Sequence, residues 1–413
     1  ETNKIIEKNN LLNISNIQFN NNNDLIYIRK NKFINSQIYK HKISDSFRND
    51  ILIYDENSSN VFISISKSND DKYFFIYRST HKENQVLVFK QDKNDVFSLT
   101  DFEINTKSIV NHHDNKFYIL KYYNQFSAIY SAKYRFVNSK KYKKVIFDTF
   151  NLITKQSKQR FIDNIFCYKK FFAYTEINKG RTFIYIVPNY NIDKKYLIKI
   201  PYTKNYIQKF EVFKFAFYND NFIRFTISSL IIPYNIYIHD VSNNSTKLIF
   251  NREYKFYNQD EYKMHTENVK YSNNSKFINI PITYAYKKIM IKNKNNKIIF
   301  DVYGSYGVMN NPSFNKIAIE LMNRGFIFCI THVRGGGEDG FNWHMKGSKL
   351  NKINSINDCI QSIKYMQDKF KSNGKNVLIG ASAAGIVIGN VINRVPKLIK
   401  VVIAKVPFVD ALT

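Results

Sequence analysis

The chain has 413 residues, 44% of them hydrophobic and 23% charged, which is enough for two or more domains with full cores and excludes a disordered chain. No run approaches the roughly 18–20 uninterrupted apolar residues of a membrane span, and Cys167, Cys329 and Cys359 form no CxxC pair, which argues against a thiol zinc site and for buried thiols in a reducing, cytoplasmic setting. The formal net charge of +29 does not carry a nucleic-acid function, because the excess Lys is spread over the whole chain with Asn, Ile, Phe and Tyr, as AT-rich coding would give, and is not gathered on one element.

The opening stretch "ETNKIIEKNNLLN" has no apolar signal core and no small-residue cleavage site. The chain starts without methionine and ends at "FVDALT" straight after an apolar run, so both termini are expected to be cuts from something longer. From there to about residue 253, short aromatic and β-branched runs alternate with Asn, Asp, Lys and Ser clusters, which is strand-and-turn chemistry. The runs come in pairs: "DLIYI" at 24 with "QIYKH" at 37, "YFFIY" at 73 with "VLVFK" at 86, "KFYIL" at 116 with "AIYSA" at 128, "FFAYT" at 171 with "FIYIV" at 183, and "NFIRF" at 221 with "NIYIH" at 235. Measured on Ile38, Val88, Ile129, Ile184 and Ile236, the spacings are 50, 41, 55 and 52 residues, the size of a four-stranded propeller blade. The basic runs "KYKK" at 141–144 and "KNKNNK" at 292–297 read as solvated loops.

After about residue 255 the pattern changes. "KIIFDVYG" at 297 predicts a buried strand, "FNKIAIELMNRG" at 314 an amphipathic helix stopped by Gly325, and "FIFCITHVRGGG" at 326 a second strand. A helix over "INDCIQSIKYMQDKF" at 356, a strand at "NVLIG", a helix over "AAGIVIGNVINRV" and a strand at "KVVIAKVPF" follow. Strands alternating with helices predict a mostly parallel sheet, with functional groups at the carboxyl ends of its strands. The expected architecture is a partial β-propeller over 1–253, then a partial α/β domain over 254–413.

Between the "NVLIG" strand and the next helix stands Gly380-Ala381-Ser382-Ala383-Ala384-Gly385. A nucleophile elbow reads G-x-S-x-G, where the serine takes a strained conformation that exposes its hydroxyl. Here the second glycine is Ala384, with Gly385 one place later, so a serine that merely caps the helix stays open on these residues alone. The three glycines of "VRGGGE" belong to no GxxxxGK[ST] or GxGxxG pattern, which leaves no nucleotide-binding loop.

Taken in order, "VYGSYG" at 302–307, "HVRGGGEDGFNWHMKG" at 332–347, "GASAAG" at 380–385 and "VPFVD" at 406–410 resemble the catalytic domain of the prolyl oligopeptidase family of serine peptidases, in the wording of its oligopeptidase B branch. The resemblance implies a seven-bladed propeller over an α/β-hydrolase domain, and hydrolysis of short peptides without a metal or organic cofactor. It makes Ser382 the acylating nucleophile, the Ala383 N–H one oxyanion donor and the Tyr303 hydroxyl the other. Arg334 and Glu338 fall in the family's glycine loop as supports. The branch selects basic residues partly through acids just after "GSYG", whereas this chain has Asn311 and Ser313 there.

A serine nucleophile needs a histidine base oriented by a carboxylate, in the order Ser, Asp or Glu, His in this fold. The 31 residues after Ser382 hold one acid, Asp410, and no histidine; the last histidine is His344. His332 is expected at a strand end and His344 in a loop or on the surface, neither as the base. The sequence therefore predicts a cytoplasmic serine oligopeptidase acting on short peptides, probing neither nucleic acid nor membrane, whose triad acid and base lie outside this chain. The alternative is a catalytically inactive propeller and hydrolase remnant that binds a peptide or partner.

Overall fold

The computed structural model describes residues 13–410 apart from 21–23, 32–34, 81–82, 124–125, 141, 155–160, 200–208, 214–216 and 274–275. The opening stretch 1–12 and Lys141 of the first basic run lie outside the described residues. Each of the five expected strand pairs is an antiparallel neighbour: Leu25–Asn31 with Asn35–His41, Tyr73–Ser79 with Glu83–Lys90, Lys116–Tyr123 with Phe126–Asn138, Phe171–Asn178 with Arg181–Pro188, and Phe222–Ser228 with Asn235–Asp240. They are the two inner strands of successive four-stranded blades. Their apolar runs pack on both faces, so Phe74, Phe75 and Ile76 in a row are fully buried.

The second and third blades share a seam. Phe126–Asn138 pairs first with Asn151–Leu152 of its own blade and then with Lys143–Phe147, which touches Phe97–Ser98 of the blade before. Lys143 and Lys144 of "KYKK" thus begin a strand, not a loop, and reach Asp95 at 2.5 Å and Asp101 at 2.9 Å. Polar side chains fasten the same two blades inside. Asp70 takes hydrogen bonds from Ser68 Oγ at 2.7 Å and faces His112 Nδ1 at 2.5 Å, and the far nitrogen of His112 meets Tyr134 at 3.0 Å. Burial opposes the Asp70 charge, but the bonds from His112 and Ser68 outweigh it and hold its carboxyl below the usual carboxylate range.

The C-terminal domain is a six-stranded sheet. Strands β1 (Tyr262–Asn273) and β2 (Lys276–Lys287) form a long hairpin, followed by β3 (Lys297–Val302), β4 (Phe326–Thr331), β5 (Asn376–Ala381) and β6 (Val401–Lys405). Their order is β1-β2-β4-β3-β5-β6, antiparallel as far as β4 and parallel from there on. Helices α1 (Lys316–Asn323), α2 (Gly340–Met345), α3 (Lys352–Phe370) and α4 (Ala384–Arg394) complete it. Period-two alternation divides β3 between two cores. Ile298, Phe300 and Val302 pack with Ile363 and Met366 of α3 and Val387 of α4, while Ile299 packs with Ala318 and Met322 of α1 on the other face. Asn315 caps α1 through the Ile317 N–H, and Gly325 ends it at a φ of +83°. Among the described residues no helix is long and apolar enough to cross a membrane, and the three cysteines are free and buried.

The Asp70 bond set predicts an acid-sensitive joint between blades. Asp70→Asn is expected to cost about 2 kcal/mol at pH 7. Because the folded pKa is depressed, that stabilisation is complete above the unfolded value of about 4 and disappears as the pH falls through the folded value. Denaturant unfolding of both proteins from pH 7 to pH 3 checks this: the gap between them should be constant near neutrality and narrow towards the acid end.

Candidate active site

Strands β3, β4 and β5 lie side by side and in parallel, so their carboxyl ends open loops on one rim of the sheet. The loop after β4 carries "HVRGGGE" and packs backbone to backbone on the turn after β3. A Cβ at Gly335 would fall on the Gly304 carbonyl, and one at Gly337 on that of Gly307; the Gly307 N–H donates to the Gly335 carbonyl at 3.0 Å. No side chain fits in that contact.

Arg334 anchors the loop to α3. Its Nε and Nη2 donate to the two oxygens of Asp358 at 2.8 and 2.7 Å, and its backbone N–H donates to Asp358 Oδ2 at 3.0 Å. The Tyr271 hydroxyl donates to Asp358 at 2.6 Å and accepts from Arg334 Nη2 at 2.8 Å. Glu338, also buried, accepts the Asn310 N–H at 2.9 Å and faces His332 Nδ1 at 3.4 Å through the same oxygen; its other oxygen has no partner among the described residues. Arg334 and Glu338 thus tie the glycine loop to α3, to the Asn310 backbone and to His332. His332 is fully buried just past β4, with its second nitrogen 2.9 Å from the Thr283 hydroxyl. Both of its nitrogens are thus engaged away from Ser382. His344 lies half-buried in α2 against the Gly335 carbonyl at 3.0 Å, so it is a packed helix residue and not a surface loop residue.

Ser382 leaves β5 at a φ of +51°, in the left-handed region that costs a non-glycine residue about 1–2 kcal/mol. The residue is exposed, and its backbone is held on both sides. Its N–H donates to the Lys405 carbonyl at 3.0 Å, and its carbonyl accepts the Gly385 N–H at 2.9 Å and the Phe408 N–H at 2.8 Å. The "VPFVD" segment therefore braces the turn, a role that its sequence does not announce. The imperfect elbow motif has a steric explanation. A Cβ on Gly380 would stand 3.0 Å from the Ala384 methyl and 2.8 Å from Ile388, so glycine at 380 leaves room for alanine at 384. Gly385 is needed where the Phe408 backbone crosses.

Ala383 is the N-cap of α4, and its N–H has no partner among the described residues. Tyr303 follows Val302, which lies opposite Gly380 in the sheet, so Tyr303 and Ser382 emerge from adjoining strand ends. Among the described residues neither hydroxyl has a hydrogen-bond partner. Asp410 lies beyond Phe408 and is exposed. A cavity of about 1090 Å³ opens beside this rim, between the hairpin tip Asn178–Arg181, the β1–β2 hairpin and the glycine loop, lined by Lys179, Arg181, Phe277, Glu338 and Trp343. Neither Ser382 nor Tyr303 lines it.

The sequence profile described as "Prolyl oligopeptidase, N-terminal beta-propeller domain" matches residues 2–252, and that of the "Prolyl oligopeptidase family" matches 312–413. The chain belongs to the prolyl oligopeptidase family. Protease 2 of Moraxella lacunata is 23% identical over 385 residues, 91% of this chain and 53% of that protein. Oligopeptidase B from Leishmania major superposes with a TM-score of 0.83 at 21% identity, over 95% of this chain and 56% of its own. Oligopeptidase B from Trypanosoma brucei, in a closed form with covalently bound antipain, gives 0.80 at 22% over the same shares. The chain thus spans about half the length of these relatives. At this identity the superpositions speak for the propeller and hydrolase folds alone.

The crossing at Gly385 gives a paired prediction. Gly385→Ala should destabilise by about 1–3 kcal/mol through collision with the Phe408 backbone. Gly389→Ala, also in α4 but with nothing within 4 Å of the new methyl, should stabilise by up to about 1 kcal/mol. Denaturation midpoints of the two variants measure both.

Proposed function

We propose that the full-length protein is a serine oligopeptidase of the oligopeptidase B type that acylates Ser382. The observation that carries this is an exposed serine in the left-handed conformation on a strand-to-helix turn, next to two unengaged donors, the Ala383 N–H and the Tyr303 hydroxyl. Ser382 Oγ attacks the peptide carbonyl, and its proton passes through a histidine to the departing amine as the C–N bond breaks. Water then hydrolyses the ester by the same route in reverse. The two donors meet the charge that exists on the carbonyl oxygen only in the tetrahedral state.

A histidine base with its orienting carboxylate is required, and His332 and His344 are committed elsewhere. The proposal places both triad partners in the full-length protein, outside this chain. Division of the chain into a propeller over 1–253 and a hydrolase domain over 254–413 is part of it. The last blade strand ends at Asn251 and β1 begins at Tyr262.

Short peptides are the proposed substrates, since propeller segments sit on the rim of the site. The Gly180 N–H reaches the Glu338 carbonyl at 2.5 Å, the Lys209 N–H reaches the Pro312 carbonyl at 3.3 Å, and Ser228 Oγ accepts the Phe314 N–H at 2.9 Å. Cleavage after Lys or Arg is proposed from the resemblance, with loose selection nearby because Asn311 and Ser313 carry no charge. Three buried free thiols suit a cytoplasmic location.

Labelling of the full-length protein with a fluorophosphonate tests the assignment. Wild type should label and Ser382→Ala should not, while Tyr303→Phe should lose about 10²–10³ in kcat on a reporter peptide. A folded full-length protein that does not label would instead be a binding protein on a peptidase scaffold.

A further inference from the structure

Lys352 opens α3 with its side chain half-buried beneath the turn that follows Tyr303. Its ammonium donates to the Gly304 carbonyl at 2.5 Å and to Ser305 Oγ at 2.8 Å. Among the described residues it has no carboxylate partner, and burial pulls its pKa down to about 8. A desolvated, unpaired cation is costly, so its hydrogen bonds to the turn are what offset that cost. On the other side of the turn, Val333 fills the space where a Gly304 side chain would stand, and Gly335 lies against the Gly304 carbonyl. The turn is thus clamped between the glycine loop and the lysine, one residue from the Tyr303 phenol.

We propose that Lys352 is a positioning residue for oxyanion stabilisation: by holding the Gly304 carbonyl and the Ser305 hydroxyl it fixes the turn that aims the Tyr303 hydroxyl at the acylating centre. This rests on the roles proposed above for Ser382 and Tyr303. Lys352 and Ser305 also have the atoms of a serine–lysine dyad, but Ser305 is only 8% exposed, and attack on a peptide needs an accessible hydroxyl. Supporting groups matter at this scale because displacing a catalytic donor by about 1 Å costs on the order of 10²-fold in rate.

The experiment compares full-length wild type with Lys352→Met and Ser305→Ala. It reads kcat and KM on a reporter peptide, the inhibition constant of a matching peptide aldehyde whose adduct carries the oxyanion, and the thermal midpoint. Lys352→Met should lower kcat by about 10–100-fold with KM within about twofold, and aldehyde affinity should fall in step with kcat/KM. Ser305→Ala, which removes one of the two acceptors, should lower kcat by about 3–10-fold in the same pattern. A purely structural lysine would move the thermal midpoint and leave kcat and aldehyde affinity of the folded enzyme alone, and that result overturns the proposal. If Lys352→Met does not fold, unchanged kcat and aldehyde affinity in Ser305→Ala overturn it instead. Failure of the peptidase assignment itself shows earlier, as a wild type that neither labels at Ser382 nor cleaves the reporter.

Discussion

Asp358 is fully buried on α3, and its two carboxylate oxygens take four hydrogen bonds, three from Arg334 and one from Tyr271. Removing either member of such a pair costs about 3–5 kcal/mol, because the other is left as an uncompensated buried charge. The fork geometry matters here more than the net energy. It sets the height of the glycine loop above the sheet, and that loop in turn presses on the turn after β3. Tyr303, Gly304 and the loop that includes Asn310 thus inherit their positions from this ion pair by way of the glycine loop. Ser355, three residues earlier on α3, adds hydrogen bonds to the Arg334 and Gly347 carbonyls, so a single helix carries the glycine loop and, through Lys352, the turn after β3.

The propeller solves a different problem with similar means. Its blades are stacks of aromatic and β-branched strands whose faces pack without direction, so registry between blades falls to polar and stacked contacts. Asp70 with His112 does this between the second and third blades. His113, stacked on Tyr190 at 3.9 Å and hydrogen-bonded to Tyr218 at 2.6 Å, ties the third blade to the chain that follows. Burial holds the His113 pKa below its usual value, so this ring joins the stack as a neutral aromatic and not as one more cation on a strongly basic chain.

Inner blade strands were legible in the sequence because each is a run of consecutive apolar residues between turn clusters. Outer strands were not: Ser245–Asn251 is mostly exposed and Asn151–Leu152 is two residues long, so neither shows a period. The β1–β2 hairpin escaped for a related reason, since "YKMHTENVKYSN" mixes polar residues into both faces. Strands β3 to β6 and helices α1, α3 and α4 of the hydrolase domain follow from apolar spacing, while six-residue α2 is too short to show one. The roles proposed for Ser382, Ala383 and Tyr303 rest on motif order. Asp358 and Lys352 each leave only a faint trace in the sequence: an acid inside the apolar face "INDCI", and a lysine six residues before that acid. Their partners lie 24 and 47 or more residues away, beyond the reach of any local pattern.

The bracing of Ser382 by Lys405 and Phe408 has a consequence for biosynthesis. Chains are made from the N-terminus, and domains fold as their segments emerge. When Ser382 leaves the ribosome, neither the acceptor for its N–H nor the Phe408 donor to its carbonyl has yet emerged with it, and a left-handed serine without them is disfavoured. The elbow therefore has no reason to adopt its strained shape until β6 has been laid against β5. A nascent chain displays this serine in a relaxed conformation, and the exposed hydroxyl becomes a fixed feature only after the next strand and its turn are in place.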